Sequence, residues 1–232
     1  KFYMFTISKK KNYKIIKKII SRRIIKIFKK ELNNAVNKII KRNKLNLDRR
    51  LSIDLKLLSL EEINHKYISD LYVEIKTFKI IKNFEKNLKV KKILNSFFDG
   101  KFFNLTKCVR LDLSNNQDWN LDWHQENSYV GKKNKFIFLW FPLLNKNDSS
   151  TGGLEIYNKF TSKPYSFYTK KIKNSQTQKL PNFRFKKNYS KEVILDIGNL
   201  LVFDKYLFHR SVVNKSYKVK LSCIMSFYQK TE

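Results

Sequence analysis

The chain has 232 residues and a formal net charge of +31, and 42% of its residues are hydrophobic and 15% aromatic. This apolar content is enough for a folded core, so the composition excludes a chain that is disordered throughout. Five Gly and three Pro exclude a collagen-like chain, and two Cys exclude a disulfide scaffold, which favours a reducing, cytoplasmic location.

The first part of the chain is strongly basic. Residues 1–44 contain 16 basic residues and one acidic residue, Glu31. Apolar residues recur among them in steps of three and four, which is the period of an amphipathic helix. We therefore predict a basic amphipathic helical segment over residues 1–58. Its apolar face either packs on the rest of the domain or makes a peripheral contact with an anionic membrane. Nucleic acid is disfavoured as a partner, because only eight of the 50 basic residues are Arg.

Helices are predicted before residue 100 and strands after it. One helix is predicted to begin near Ser59, where Ser59 and Glu62 have the spacing of a capping box, and another covers residues 85–98. Residues 162–191 show no sustained period and are predicted to form a long loop. Runs rich in β-branched and aromatic residues predict strands at 108–113, 136–144, 154–157, 193–197, 200–203 and 218–227. This order indicates an α+β fold with an antiparallel sandwich or barrel.

Two of the three histidines lie in the strand-rich part of the chain. If the stretch around His124 is extended, His124 and Glu126 project to the same side and can share a metal ion. His209, 85 residues later, can supply a third ligand. Two His and one carboxylate suit non-haem Fe(II). The spacing alone is a weak signal, and an exposed polar strand edge is the alternative interpretation.

Further motifs surround these residues in a fixed order. Trp123-His124-Gln125-Glu126 is followed by Gly152-Gly153-Leu154-Glu155-Ile156, and later by Gly198-Asn199-Leu200-Leu201-Val202-Phe203 and His209-Arg210-Ser211-Val212-Val213-Asn214. In order and spacing, residues from about 100 to 228 resemble the phytanoyl-CoA dioxygenase family of Fe(II)/2-oxoglutarate-dependent oxygenases. That family has W-H-Q-D at the first motif, G-D at the third, and an Arg eleven residues after the distal His.

The resemblance implies a double-stranded β-helix core, a jelly-roll or cupin-like barrel, with N-terminal helices packed on it. The oxygenase domain would cover residues 59–232. It implies that His124, Glu126 and His209 bind Fe(II) and form the catalytic centre. With O2 and 2-oxoglutarate as co-substrates, the enzyme would hydroxylate a small-molecule substrate and release succinate and CO2.

The resemblance also implies where 2-oxoglutarate binds. Its distal carboxylate would meet the basic residue at position 220, with help from the Ser211 hydroxyl. Lys220 and Ser222 alternate with apolar residues along the last predicted strand, so they are expected to share the cavity face. A cation is needed because a buried carboxylate is costly unless it is paired.

Two residues depart from the family pattern at the site. Glu126 stands in place of Asp, which adds one methylene to the metal ligand. Lys220 stands in place of Arg, which replaces a bidentate fork with a point charge. We expect Ser222 to assist Lys220.

Two residues are predicted as substrate contacts. Arg110 could pair with an anionic substrate, with a solvated surface charge as the alternative. Trp123 could shape the pocket, with core packing as the alternative.

Two other functions stay open at the level of sequence. One is a non-catalytic β-barrel binding module, whose basic helix contacts an anionic membrane or nucleic acid. The other is a cupin-type metalloenzyme that needs no 2-oxoglutarate. The resemblance selects neither a substrate nor an oligomeric state.

Overall fold

The structure is a computed structural model and describes residues 11–115, 120–131, 134–171 and 177–230. As predicted, long helices precede residue 100 and most strands follow it. The helices are α1 (Arg22–Arg42), α2 (Ile53–Ile63), α3 (His65–Ile75), α4 (Lys79–Asn83), α5 (Leu88–Phe97) and α6 (Asn127–Val130), with short 3-10 helices at Phe84–Lys86 and Lys187–Tyr189. The strands are β1 (Tyr13–Ile16), β2 (Phe103–Asp112), β3 (Lys135–Pro142), β4 (Leu154–Tyr157), β5 (Phe167–Lys171), β6 (Thr177–Pro181), β7 (Ser190–Val193), β8 (Leu200–Asp204), β9 (His209–Ser211) and β10 (Lys220–Gln229).

Polar side chains fix where the helices begin. The Ser21 and Ser52 hydroxyls accept hydrogen bonds from backbone N–H groups in the first turns of α1 and α2, which satisfies donors that have no partner within the helix. The prediction of a helix start near Ser59 is wrong, because Ser52 caps α2 and Ser59 lies inside it. The helix predicted over residues 85–98 is found as α5, which begins three residues later than predicted.

Within the described residues the strands form two main antiparallel sheets and a hairpin. The large sheet has the order β1-β8-β3-β10-β2, and the small sheet has the order β7-β4-β9. A single antiparallel bridge between His124 and His209 extends the small sheet beyond β9. The architecture is therefore a mixture of helices and antiparallel sheets, as the sequence predicts.

The large sheet has a different core on each of its faces. Along β10 the buried residues Leu221, Cys223, Met225 and Phe227 belong to a core that includes the helices. Ile224, between them in sequence, packs on a second core between the two sheets. Side chains alternate along a strand, so one strand serves both layers. The small sheet thus covers the face of the large sheet opposite to the helices.

The apolar face of α1 is buried in the helix-side core. Phe28, Leu32 and Val36 are fully buried there, while the lysines between them are exposed. Packing on the domain is therefore the interpretation that the structure supports for this helix. The boundary predicted between residues 58 and 59 lies inside α2, and apolar residues on both sides of it share one core.

Two segments differ from the sequence expectations. Residues 13–16 form β1, which pairs antiparallel with β8, although the basic segment was predicted to be helical. The predicted long loop over residues 162–191 contains the β5–β6 hairpin and the beginning of β7. Among the described helices, none has the length and apolarity needed to cross a bilayer.

Candidate metal centre

Two histidines that are 85 residues apart in sequence lie directly opposite each other. The backbone N–H of His124 donates to the carbonyl of His209 over 3.0 Å, and the N–H of His209 donates back over 3.1 Å. Both side chains are 3% exposed, and their ring centroids are 4.2 Å apart. The small sheet therefore holds the two imidazoles side by side.

The Glu126 carboxylate completes the cluster. Its Oε1 lies 3.5 Å from His209 Nε2 and 3.9 Å from His124 Nε2, and one ligand atom from each of the three residues lies within 4.8 Å of the others. The chain is not extended at this point, because Glu126 has helical dihedral angles at the start of α6. The predicted proximity of His124 and Glu126 is found, but a turn produces it and not a continuous strand.

Backbone carbonyls orient both imidazoles. His124 Nδ1 lies 2.7 Å from the carbonyl oxygen of Asp122, and His209 Nδ1 lies 3.1 Å from that of Leu207. A carbonyl only accepts, so each Nδ1 carries a proton, and in a neutral imidazole the Nε2 then presents the lone pair. Hydrogen bonds of this kind fix the tautomer and the ring orientation of histidines that bind metals.

The environment favours the protonation states that metal binding requires. Burial, followed by the charge of His209, lowers the pKa of His124 to about 4, so its imidazole is neutral at pH 7. Burial opposes the ionisation of Glu126, but the neighbouring imidazoles outweigh it and lower the pKa of this carboxyl. His124 thus offers a neutral imidazole and Glu126 a carboxylate, as metal ligands require.

The donor set fits a divalent metal ion. Two imidazole lone pairs and a carboxylate face one point in a buried pocket, an arrangement that needs a cation between the three groups. Two His and one carboxylate leave the remaining coordination positions of an octahedral metal open, as in non-haem Fe(II) sites. The residues present are therefore suited to hold Fe(II).

The three residues lie in the wall of a cavity of about 730 Å3 between the two sheets. Side chains from β2, β3, β4 and β10 form most of the other walls. The apolar lining residues are Val109, Leu121, Trp140, Leu154 and Ile224, and the polar ones include Tyr72, Lys76, Lys107, Arg110, Ser211 and Ser222. The cavity is large enough for two small molecules beside a metal ion.

Three residues predicted to contact a co-substrate or substrate line this cavity. They are Arg110, Ser211 and Ser222. The Arg110 guanidinium donates to the Ser211 hydroxyl over 3.0 Å, which joins the large sheet to the small one. The alternation predicted for the last strand is found, with Ser222 on the cavity face.

Two other predicted residues have different surroundings. Lys220 is not among the described residues that line the cavity, since its ammonium lies 2.5 Å from Asp112 Oδ2. Register explains this contact, because Lys220 and Asp112 are direct cross-strand neighbours. Trp123 stacks on Phe185 with ring centroids 4.6 Å apart, which agrees with the packing alternative for that residue.

Sequence reasoning missed several polar residues that support the site. Gln125 is buried, donates to the carbonyl of Tyr206 over 2.8 Å and accepts from the N–H of Tyr165. Gln178 donates to the carbonyl of Asp122 over 3.0 Å, the same carbonyl that orients His124. The only available signal was the position of Gln125 between two predicted ligands.

Comparison with known proteins identifies the fold. No known family profile matches the chain, and no curated protein matches it in sequence. Solved structures do match: the apo form of the non-haem monooxygenase ThoJ gives a TM-score of 0.58 at 11% identity, covering 96% of this chain and 77% of that one. The chain shares its fold with ThoJ.

Two further structures extend the comparison. EctD from S. alaskensis, solved with 2-oxoglutarate and 5-hydroxyectoine, gives a TM-score of 0.57 at 10% identity and covers 94% of this chain and 72% of its own. EvdO2 from Micromonospora carbonacea var. aurantiaca gives 0.55 at 11% identity, with coverages of 97% and 92%. EctD has also been solved with bound Fe, and EvdO2 with 2-oxoglutarate.

Proposed function

We propose that the protein is an Fe(II)- and 2-oxoglutarate-dependent dioxygenase that hydroxylates a small-molecule substrate and releases succinate and CO2. The observation that carries this proposal is the convergence of His124, Glu126 and His209 at the wall of one cavity. The shared fold with ThoJ, EctD and EvdO2 supports it.

The sheet order supports a double-stranded β-helix. In the large sheet β2, β10, β3 and β8 are successive neighbours, and in the small sheet the His124 segment, β9, β4 and β7 are successive neighbours. Two four-stranded antiparallel layers that share a core are expected for such a barrel. We propose this fold, and the four motifs shared with the phytanoyl-CoA dioxygenase family support membership of that family.

In the proposed mechanism the side chains position the reactants. His124, Glu126 and His209 would hold the metal, and the carbonyls of Asp122 and Leu207 fix the orientation of the two imidazoles. Bound Fe(II) supplies the oxidative chemistry with dioxygen, which amino-acid side chains cannot perform.

The cavity walls control the surroundings of the reaction. Trp140, Leu154 and Ile224 form apolar walls that would exclude water and hold an apolar part of a substrate beside the three metal-binding residues. The basic residues Lys76, Lys107 and Arg110 are the charged residues in the described lining besides the metal ligand Glu126. This charge distribution favours anionic ligands.

Contacts of the basic helix do not favour the alternative of a membrane-binding module. A membrane helix inserts its apolar face, and in α1 that face is buried within the domain, with Phe28 and Leu32 fully covered. The exposed face is rich in lysine and would offer only electrostatic contact. Peripheral binding to anionic membranes therefore stays a prediction for this segment.

Turnover of 2-oxoglutarate tests the proposed function. Protein loaded with Fe(II) is incubated with 2-oxoglutarate and O2, and succinate is quantified with and without candidate anionic substrates. We expect succinate from the wild type, and a loss of at least about 100-fold in Glu126→Gln, because the metal ligand is lost. Absence of succinate from metal-loaded wild type across a broad substrate panel would contradict the proposal and favour a metalloenzyme independent of 2-oxoglutarate.

A further inference from the structure

Four polar residues lie side by side on one face of the large sheet. Arg110 on β2 is the direct cross-strand neighbour of Ser222 on β10, and Asp112 is the neighbour of Lys220. Residues two apart on a strand face the same side, so the four side chains form one patch. Two cations of this patch are candidates to bind a carboxylate in the cavity.

Lys220 is already paired. Its ammonium lies 2.5 Å from Asp112 Oδ2, and the two side chains are 3% and 4% exposed. The ammonium also donates a hydrogen bond to the carbonyl of Val212 over 3.5 Å. Lys220 is also absent from the described cavity lining, so a ligand could reach its ammonium only if this buried ion pair were broken. Lys220 therefore neutralises Asp112.

Arg110 reaches into the cavity instead. Its Nε donates to Asp112 Oδ1 over 2.6 Å, and its side chain is 25% exposed where it lines the cavity. Arg110 and Lys220 share the single anion Asp112, so the patch carries one excess positive charge. An excess charge in a pocket of low polarity favours an anionic ligand.

Several hydrogen-bond donors in and around Arg110 have no acceptor among the described residues. The Ser211 hydroxyl oxygen accepts from Arg110 over 3.0 Å and from the N–H of Leu121 over 3.2 Å, so both of its lone pairs are used and its proton is free. The side-chain nitrogen of Asn120 is buried without a partner. Arg110 uses three of its five N–H groups, on Asp112, Ser211 and Asn120, so two stay available.

We propose that Arg110, with the Ser211 hydroxyl, binds the distal carboxylate of 2-oxoglutarate, and that Lys220 is a positioning residue that holds Asp112 against Arg110. This inference rests on the proposed function. The resemblance places the carboxylate-binding cation at position 220 on β10. The present assignment places it at Arg110 on the neighbouring strand β2. A guanidinium then provides the fork that a lysine cannot.

A comparison of two keto acids tests this assignment without measuring catalysis. The affinities of 2-oxoglutarate and 2-oxopentanoate, which carries a methyl group in place of the distal carboxylate, are measured by calorimetry on Fe(II)-loaded protein without oxygen. The variants are Arg110→Leu, Lys220→Met and, as a matched control, Lys107→Met, which removes another cation of the cavity wall. Circular dichroism checks that each variant is folded.

We expect wild type to prefer 2-oxoglutarate, and Arg110→Leu to lose about 10- to 100-fold in affinity for it while binding 2-oxopentanoate unchanged. Lys107→Met should keep the preference within about threefold, whereas Lys220→Met should weaken it less than Arg110→Leu does, because the patch loses one positive charge but keeps the guanidinium. Loss of the preference in Lys220→Met, with retention in Arg110→Leu, overturns the assignment and leaves the proposed function intact. Failure of wild type to bind either keto acid overturns the proposed function itself.

A second outcome would show that Arg110 binds the carboxylate of a substrate and not that of 2-oxoglutarate. In that case the Arg110→Leu protein binds 2-oxoglutarate as tightly as wild type does, but binds an anionic substrate identified by turnover more weakly. Arg110 then binds the substrate, and the inference is wrong. If Lys220→Met unfolds, Lys220→Arg takes its place, since it keeps the charge opposite Asp112. The assignment then predicts an unchanged preference between the two keto acids.

Discussion

At the scale of the residue, the length of the Glu126 side chain matches the local turn. Its carboxylate reaches to 3.5 and 3.9 Å of the two Nε2 atoms from a position with helical backbone angles. The extra methylene relative to the family's Asp is therefore accommodated by the backbone, and the longer carboxylate still reaches the two imidazoles.

Glu126→Asp is expected to bind metal more weakly, although Asp is the residue of the family pattern. Removing one methylene withdraws the carboxylate by about 1.5 Å, so the Fe(II) affinity should fall by about tenfold or more. Competition with a chelator under anaerobic conditions measures this change, and Glu192→Asp on β7 is the control. An affinity equal to or above that of wild type would contradict the account.

Asp112 is the anion shared by Arg110 and Lys220. Asp112→Asn leaves two largely buried cations without a counter-charge, so the free energy of unfolding should fall by about 3 kcal/mol. Urea unfolding measures it, with Asp99→Asn as the control, because the Asp99 side chain is 93% exposed and should change stability by less than about 0.5 kcal/mol. Equal stability of the two variants would refute the role of this pair.

At the scale of the element, a close approach of two segments holds β9 and β4 in place. Gly152 has a φ of +73°, and a Cβ there would lie 2.4 Å from the carbonyl oxygen of Val212. Gly153 accepts from the N–H of Val212 through its own carbonyl. The backbone just after β9, the strand that carries His209 and Ser211, thus packs directly on the two glycines before β4. A side chain at Gly152 would push these two segments apart.

Gly152→Ala and Gly131→Ala separate the clash from the conformational cost. Gly131 also has a positive φ, of +79°, but a Cβ there meets nothing within 4 Å. Gly131→Ala should cost about 1 to 3 kcal/mol from backbone conformation alone, because its φ of 79° and ψ of −177° lie in a region that is essentially restricted to Gly. Gly152→Ala should cost a further overpacking penalty of about 1 to 3 kcal/mol beyond the loss in Gly131→Ala, and it should also weaken metal binding, since β9 must shift. Equal losses in chemical denaturation would contradict this difference.

At the scale of the whole molecule, the buried carboxyl of Asp204 links stability to pH. Burial, opposed by hydrogen bonds from Asn12 and from the N–H groups of Tyr206 and Leu207, raises its pKa from 3.8 to about 6. Because this folded-state pKa lies above that of the unfolded chain, protonation favours the folded state. The contribution of Asp204 to stability therefore grows as pH falls through 6.

Comparison of wild type with Asp204→Asn isolates this effect. As the pH falls from 8 to 5, the free energy of unfolding of wild type should rise by about 1 kcal/mol relative to that of Asp204→Asn. Urea unfolding at four pH values measures it, and the other titrating groups cancel because both proteins contain them. A constant difference, or one that moves in the opposite direction, would show that Asp204 is not destabilised by burial.

The convergence of the three proposed metal ligands could be predicted from the sequence, but the contacts of the residues around them could not. The positions of His124, Glu126 and His209 could be predicted because ligand chemistry restricts the residue types and the flanking motifs fix their order. The partner of Lys220 could not, because it depends on the register between strands that are more than 100 residues apart in sequence. The strand β1 was missed because its isoleucines also fit the helical period of the basic segment.

The central claim is that three side chains from distant parts of the chain hold one Fe(II) ion. Anaerobic Fe(II) titration of wild type and of the His124→Ala, Glu126→Gln and His209→Ala variants tests it most directly. The account predicts one ion per chain in wild type, and an affinity at least about 100-fold lower in each variant, with folding retained. Binding of Fe(II) by His209→Ala with the wild-type affinity would contradict the account.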